Sequence, residues 1–139
     1  MKREVARDLT YQILFQRDFH DDFEDRYPRL IEENGIRGVQ AEYSKKTIEG
    51  VIKNVDSLDE IIQKNLRGWK FERLSKHVVT VLRLGIYEML YNDDIPAKVA
   101  LNEAVKIAHR YSDPKEANFV NGLLNTVFKK ECDSVDKIQ

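Results

Sequence analysis

The chain has 139 residues, of which 42% are hydrophobic and 34% charged, and its formal net charge is −1. A chain of this length buries a sizeable core as one domain, so it should fold without disulfides or a structural metal. A chain that is nearly neutral does not attract nucleic acid through a strongly positive overall charge. Any anionic partner must therefore bind to a local patch of positive charge.

The cysteine content and the hydropathy pattern favour a cytoplasmic protein. The single cysteine, Cys132, cannot form an internal disulfide. No apolar stretch reaches membrane-spanning length, and the N-terminus is charged rather than signal-like. We therefore expect no membrane partner.

Apolar residues at helical spacing predict the first two helices. The first is predicted over residues 4–19, with its buried side formed by Val5, Ala6, Leu9 and Ile13. The second ends before Asn34 and carries Phe23, Tyr27, Leu30 and Ile31. Pro28 predicts a bend in this helix or a late start, because proline removes a backbone hydrogen bond.

Two further helices are predicted in the middle of the chain. The third covers residues 41–54, with Gly50 at a point where a neighbouring element packs closely. Ser57 and Glu60 have the spacing of a capping box, which predicts the start of a short fourth helix there. Gly68 breaks this helix.

The last three predicted helices contain the most apolar segment of the chain. Residues 75–91 are apolar around nearly the whole circumference, which predicts a buried central helix. The next helix is predicted over residues 97–111. Asp113, Pro114 and Glu116 then form the clearest helix start in the sequence.

These patterns predict an all-α fold, a single compact domain of six or seven helices around a buried central helix. The predicted domain covers residues 1–131, and residues 132–139 form a polar C-terminal tail. No segment has the sustained alternation of a strand between hairpin turns.

The sequence contains little that predicts catalysis. None of the three histidines, His20, His77 and His109, stands at a metal-ligand spacing. There is no glycine-rich phosphate loop and no nucleophile elbow. We therefore expect a binding protein that is not an enzyme and has no cofactor or metal.

The first helix carries a stripe of basic and aromatic residues, Arg3, Arg7, Tyr11 and Phe15, each four positions apart. Lys2 adds a further cation. Cations that neutralise phosphates, together with rings that stack on unpaired bases, are typical of single-stranded RNA binding. The alternative is that the two rings pack against another helix while the arginines pair with acids.

Five separated segments then indicate a family. They are REVARDLTYQILFQ at residues 3–16, WKFERL at 69–74, VLRLGIYEML at 81–90, IPAKVALNEAVKIA at 95–108 and FVNGLL at 119–124. Their content and order resemble the NusB family of bacterial transcription antitermination factors. The resemblance covers almost the full length of the chain.

The resemblance implies an all-α factor that catalyses no reaction. It implies pairing with NusE, a protein of the small ribosomal subunit, and binding of boxA RNA in nascent ribosomal RNA transcripts, with indirect attachment to elongating RNA polymerase. The same fold occurs in a ribosomal RNA cytosine methyltransferase, but this chain stops after the helical domain, so we expect the free-standing factor. Some family members self-associate, which leaves a homodimer open. The competing hypothesis is a helical protein–protein adaptor that binds no RNA.

The resemblance also implies which residues of the first helix meet RNA. By motif position these are Arg3, Arg7, Gln12 and Phe15, with Lys2 as an additional phosphate contact. Glu4 interrupts the run of arginines that is common in the family. Fewer cations imply weaker RNA binding by the protein alone.

Four residues outside the first helix complete the expected site. Phe119 and Asn118 fall near the RNA surface by motif position, although Phe119 is equally consistent with a core aromatic. Asn118 stands where lysine is common, which removes another cation. Glu88 is the candidate for the NusE-facing surface, with Arg83 as a second, and the alternative for Glu88 is an ordinary exposed glutamate.

Overall fold

The computed structural model describes residues 1–132, and these residues form seven α-helices. The helices are α1 (Arg3–Phe15), α2 (Phe23–Glu33), α3 (Gly38–Lys53), α4 (Val55–Lys64), α5 (Lys76–Leu90), α6 (Ala97–Tyr111) and α7 (Pro114–Glu131). Two short 3₁₀ helices, Gln16–Phe19 and Phe71–Arg73, follow α1 and precede α5. The predicted all-α fold is confirmed. The part of the predicted tail at residues 133–139 lies outside the described residues.

Helix α5 is the centre of the fold, as its apolar sequence predicts. Twelve of its 15 residues are buried. It packs against α1, α3, α4, α6 and α7, so nearly every face meets another helix. Because α5 is covered in this way, polar side chains on it must find partners inside the protein.

The start of α7 also follows the sequence pattern. The Asp113 side chain accepts a hydrogen bond from the Glu116 backbone N–H, and the Glu116 side chain accepts one from the Asp113 N–H. Pro114 occupies the first turn, where a missing N–H costs nothing. This capping box fixes where α7 begins, next to the N-terminal end of α5.

Four predicted boundaries or packing details differ in the structure. Helix α1 ends at Phe15, and the 3₁₀ turn replaces its predicted last turn. Helix α3 begins at Gly38 instead of residue 41, and α2 runs through Pro28. The predicted capping box at Ser57 is wrong, because α4 already begins at Val55, directly after the end of α3.

The buried side of α1 is the main correction to the predicted packing. Val5 is 48% exposed, whereas Arg7, Thr10 and Tyr11 point into the core. Thr10 hydrogen-bonds to Ser44 on α3, which accounts for its burial. Helix α1 therefore turns part of its basic-aromatic stripe towards the interior.

Candidate nucleic-acid interface

Arg7, in the middle of the stripe, is a buried residue. Its side chain lies between α1, α5 and α6 and is 5% exposed. The Nε atom donates a hydrogen bond to Glu88 Oε1 over 2.8 Å, and Nη1 lies 3.7 Å from Glu103 Oε2. Burial alone would lower the pKa of Arg7, but Glu88, followed by Tyr43 and Glu103, raises it above its usual value. The Arg7 side chain is thus enclosed and paired within the protein, and its expected contact with RNA stays a prediction.

Glu88 is the anionic partner of Arg7 and is buried as well. It is 1% exposed and accepts a second hydrogen bond, from the Tyr43 hydroxyl over 2.7 Å. Burial and the Glu88 charge hold the pKa of Tyr43 far above its ordinary value. The alternative of an ordinary exposed glutamate is wrong, because Glu88 is buried, and its expected contact with NusE stays a prediction.

Arg83, the second residue expected to face a partner, lies nearer the surface. Its side chain is half-buried between α5 and α4 and makes two hydrogen bonds of 2.8 Å to the Asp59 carboxylate. The guanidinium is therefore already paired within the protein.

Tyr11 also belongs to the core rather than to a stacking surface. It is 2% exposed, and its hydroxyl lies 3.0 Å from His77 Nδ1. Its ring packs against Tyr111 with a centroid distance of 4.9 Å. Burial, with smaller contributions from Tyr111 and Asp8, raises the pKa of Tyr11. For Tyr11 the packing alternative is therefore correct.

The N-terminal end of the stripe lies at the surface. Lys2 is exposed. Arg3 is half-buried, donates from Nε to Gln40 over 2.6 Å and lies 4.2 Å from the centre of the Tyr43 ring. Of these two cations, Lys2 is the more open to solvent.

The C-terminal end of the stripe is a surface of exposed rings and a cation. Phe15 is half-buried and stacks on His77, with ring centres 4.3 Å apart and an angle of 8°. Phe19 follows at 5.3 Å and is 55% exposed. Lys76 Nζ lies 4.5 Å from the centre of the Phe19 ring. These residues combine flat apolar groups with positive charge.

Gln12 lies one helical turn before Phe15 and is held in place by polar contacts. Its Nε2 donates to Asp8 over 2.9 Å and to the Tyr111 hydroxyl over 2.8 Å. Asp8 also accepts from Arg110 Nε over 2.8 Å. This network ties α1 to the end of α6.

Phe119 and Asn118 lie in the second turn of α7. Phe119 is half-buried, and Asn118 is exposed. The Phe119 ring meets Trp69 edge-on, with ring centres 6.4 Å apart. Trp69, in the segment before α5, is 51% exposed. The Phe119 ring therefore packs partly against the core and partly against Trp69.

The start of α5 joins these two groups. His77 contacts Phe15, while Ser75 and Val78 line the same pocket as Phe119. We call this region the α5 N-terminal surface, and we define it by Phe15, Phe19, Trp69, Arg73, Lys76, His77, Lys115, Asn118 and Phe119.

The structure therefore brings most of the predicted contacts together but not all of them. Phe15 and Phe119 both reach the start of α5, through His77 and through the pocket with Ser75 and Val78, whereas Gln12 contacts Asp8 and Tyr111. Lys2 precedes the other end of α1, roughly 20 Å from Phe15 along the axis at a rise of about 1.5 Å per residue.

Six residues of this surface were not predicted from the sequence, namely Phe19, Trp69, Arg73, Lys76, His77 and Lys115. Trp69 and Arg73 belong to a W-K-F-E-R segment in which rings alternate with charges. This alternation of rings and charges is a sequence pattern that could have indicated RNA contacts. However, the segment lies between α-helices, where no periodicity shows which side chains are exposed. Lys115 is an exposed residue in the first turn of α7. The capping pattern there predicts where the helix starts but not which of its residues bind a partner.

Comparisons with known proteins agree with this architecture. The sequence profile of the NusB family matches residues 2–129. The transcription antitermination protein NusB of Clostridium botulinum is 38% identical over 133 residues, which cover 94% of this chain and all of that protein. The chain belongs to the NusB family.

Further members and solved structures extend the match. NusB of Listeria monocytogenes is 41% identical over 91% of this chain and 96% of its own length. The structure of Thermotoga maritima NusB superposes with a TM-score of 0.85 at 31% identity, covering 97% and 96% of the two chains. A chain in a crystal structure of NusB and NusE in complex with double-stranded RNA gives a TM-score of 0.81 at 27% identity, covering 91% and 96%.

Membership of the NusB family gives the general function of the chain. It is a transcription antitermination factor, which regulates transcription and catalyses no reaction. Within residues 1–132 no three His, Cys, Asp or Glu side chains are grouped so as to hold a metal ion. In the same residues no helix combines the length and apolarity needed to cross a membrane.

Proposed function

We propose that this factor binds single-stranded boxA RNA of nascent ribosomal RNA transcripts together with NusE, and that it does so through the α5 N-terminal surface. The observation that carries the proposal is the cluster of exposed rings beside cations at that surface. Phe19 and Trp69 are both more than half exposed, and Lys76 lies against the Phe19 ring. Exposed apolar groups rimmed by polar and charged residues are typical of interaction sites.

The chemistry of this surface matches unpaired RNA better than a duplex. Unpaired bases can stack on aromatic side chains, and each stacked base contributes roughly 1–3 kcal/mol. Bases inside a duplex are already stacked on one another. A duplex contact would need mainly cations, and the whole protein has a net charge of −1.

NusE enters the proposal because the cations of the protein are few. Arg7 and Arg3 are held by Glu88 and Gln40, so α1 offers mainly Lys2 to phosphates. A relative has been crystallised with NusE and double-stranded RNA in one complex, which supports NusE as a partner and leaves the strandedness of the RNA to the chemistry of the surface. A partner that contributes neighbouring RNA contacts raises the effective concentration of the second contact, so the complex binds more tightly than either protein.

The remaining parts of the proposal follow from this arrangement. The complex tethers nascent RNA near the elongating polymerase in the cytoplasm. Arg83, near the surface of α4 and α5, is retained as a candidate for contact with NusE, whereas Glu88 supports the fold from inside. A homodimer that covers the RNA surface until NusE binds would be compatible with the exposed rings.

A double variant, Phe19→Ala with Lys76→Ala, tests the site. Both side chains are exposed, so the fold should survive, unlike in an Arg7 variant. The matched control is Val39→Ala with Lys53→Ala on α3, which also removes one exposed apolar group and one exposed cation.

RNA binding is measured by fluorescence anisotropy of a labelled boxA-type oligoribonucleotide at two salt concentrations, with NusE from the same organism present or absent. We expect the site variant to weaken binding about tenfold or more and the control to leave it unchanged. Equal effects of the two variants would contradict the assignment of the site. Absence of RNA binding even with NusE would favour the adaptor hypothesis.

A further inference from the structure

A small pocket lies between the segment before α5 and the start of α7. Its walls are the apolar side chains Trp69, Leu74, Val78 and Phe119. Its volume is about 210 Å³. Sites for whole cofactors or drug-sized ligands usually measure about 300–1,000 Å³, so this pocket suits a smaller group.

Trp69 makes one wall of the pocket available for stacking. It is 51% exposed and touches Phe119 edge-on, at an angle of 62°, so one ring does not cover the face of the other. A flat group that stacks on the indole in this pocket would also lie close to the Phe119 ring. A planar base fits this geometry, since it has a face for stacking and edges for polar contacts.

Positive charge lies beside these apolar walls. Arg73 and Lys115 are exposed and both line the pocket, Arg73 from the segment before α5 and Lys115 from α7. The first turns of α5 and α7 also meet here, and the N-terminal ends of helices favour anions. One carboxylate, that of Glu116, lines the pocket as well, and it accepts a hydrogen bond from the Asp113 N–H.

We propose that this pocket receives one unpaired base of the bound RNA, with the base stacked on Trp69 and its phosphate held by Arg73 and Lys115. The inference rests on the proposed RNA-binding function and adds a specific nucleotide position to it. An apolar side chain of a protein partner would use the walls but would leave the two cations without a role. The combination of flat apolar walls and adjacent cations therefore favours a nucleotide.

Trp69 itself reports on the proposal, because it is the only tryptophan in the chain. The emission of the protein with NusE is recorded during titration with a single-stranded boxA-type oligoribonucleotide, and the same titration of the Trp69→Phe variant is subtracted. The difference isolates the Trp69 signal. We expect it to be quenched in step with RNA binding measured by anisotropy.

Affinity measurements on variants complete the test. Trp69→Ala should weaken RNA binding about 5- to 150-fold, whereas Trp69→Phe should retain most of the affinity. Lys115→Ala should reduce the salt dependence by about one phosphate contact. The matched controls are Val99→Ala, another exposed apolar residue, and Lys129→Ala, near the other end of α7.

The outcomes separate this inference from the proposed function. If RNA binds normally while Trp69 emission is unchanged and Trp69→Ala keeps full affinity, the pocket assignment is overturned and the proposed function stands. If NusE alone quenches Trp69 and RNA adds nothing, the pocket belongs to a protein contact and the inference is overturned. If no RNA binds with NusE present, both fail.

Discussion

The buried ion pair between Arg7 and Glu88 allows a quantitative prediction about stability. Glu88→Gln preserves the shape of the side chain and removes its charge. Arg7 then stays buried without the anion that lies 2.8 Å away. Loss of one partner of a buried ion pair costs about 3–5 kcal/mol, because the remaining charge is left uncompensated.

The surroundings of the pair place this variant at the lower end of that range. Glu103 remains 3.7 Å from Arg7 and compensates part of its charge. The glutamine carbonyl can still accept one hydrogen bond. We therefore expect the free energy of unfolding to fall by about 3 kcal/mol. For 139 residues, at about 2.1 cal/mol/K per residue, this corresponds to a decrease in Tm of about 10 °C.

Urea unfolding followed by circular dichroism measures this change. Asp59→Asn is the matched control, since it also converts an acid that faces an arginine, Arg83, into an amide. The side chains of that pair are somewhat more exposed, at 13% and 19%, so we expect a smaller loss, about 1–2 kcal/mol. If Glu88→Gln is no more destabilising than Asp59→Asn, the view that Arg7 is a core residue is refuted. If Glu88→Gln leaves stability unchanged but weakens RNA binding, Arg7 would instead be a residue that contacts RNA.

Three further predictions concern packing, capping and pH. A Cβ atom at Gly50 would lie 2.3 Å from the buried Tyr87 ring. Gly50→Ala should therefore destabilise the fold by about 1–2 kcal/mol in thermal unfolding. A rise in Tm would contradict the close approach of Gly50 to Tyr87. Asp113→Ala should cost about 1 kcal/mol by urea unfolding through loss of the α7 cap, whereas Asp113→Asn should cost much less. Burial, helped by the hydrogen bond to Glu49, raises the pKa of Tyr27 to about 12, so the folded protein holds this proton more tightly than the unfolded chain. The stabilisation that the raised Tyr27 pKa provides is complete below about pH 10 and is lost as the pH rises to about 12. A spectrophotometric titration in which every tyrosine ionises near about pH 10 would contradict this.

The sequence predicted those features of the fold that depend on local pattern. The all-apolar circumference of α5 identified the central helix, and the Asp113–Glu116 spacing identified the start of α7. The close contact expected at Gly50 is explained by the Tyr87 ring. The Ser57 capping pattern failed because α4 follows α3 directly at Asn54, so Ser57 lies inside a helix that has already started.

The candidate site was less predictable because it depends on contacts between distant residues. Periodicity placed Arg7 and Tyr11 on one stripe but could not show that the stripe partly faces inward. Its partners decide that orientation, and Glu88 lies 81 positions away in sequence. Trp69 lies outside the α-helices, where spacing says nothing about exposure.

Photo-crosslinking of boxA RNA to the protein with NusE tests the central claim most directly. An oligoribonucleotide with 4-thiouridine at successive positions is irradiated in the complex, and the crosslinked peptides are identified by mass spectrometry. We predict crosslinks in the segments that contain Phe15 and Phe19, Trp69, and Phe119. Crosslinks confined to α3 and α4, or none to this protein while NusE is labelled, would contradict the proposal that the α5 N-terminal surface binds RNA.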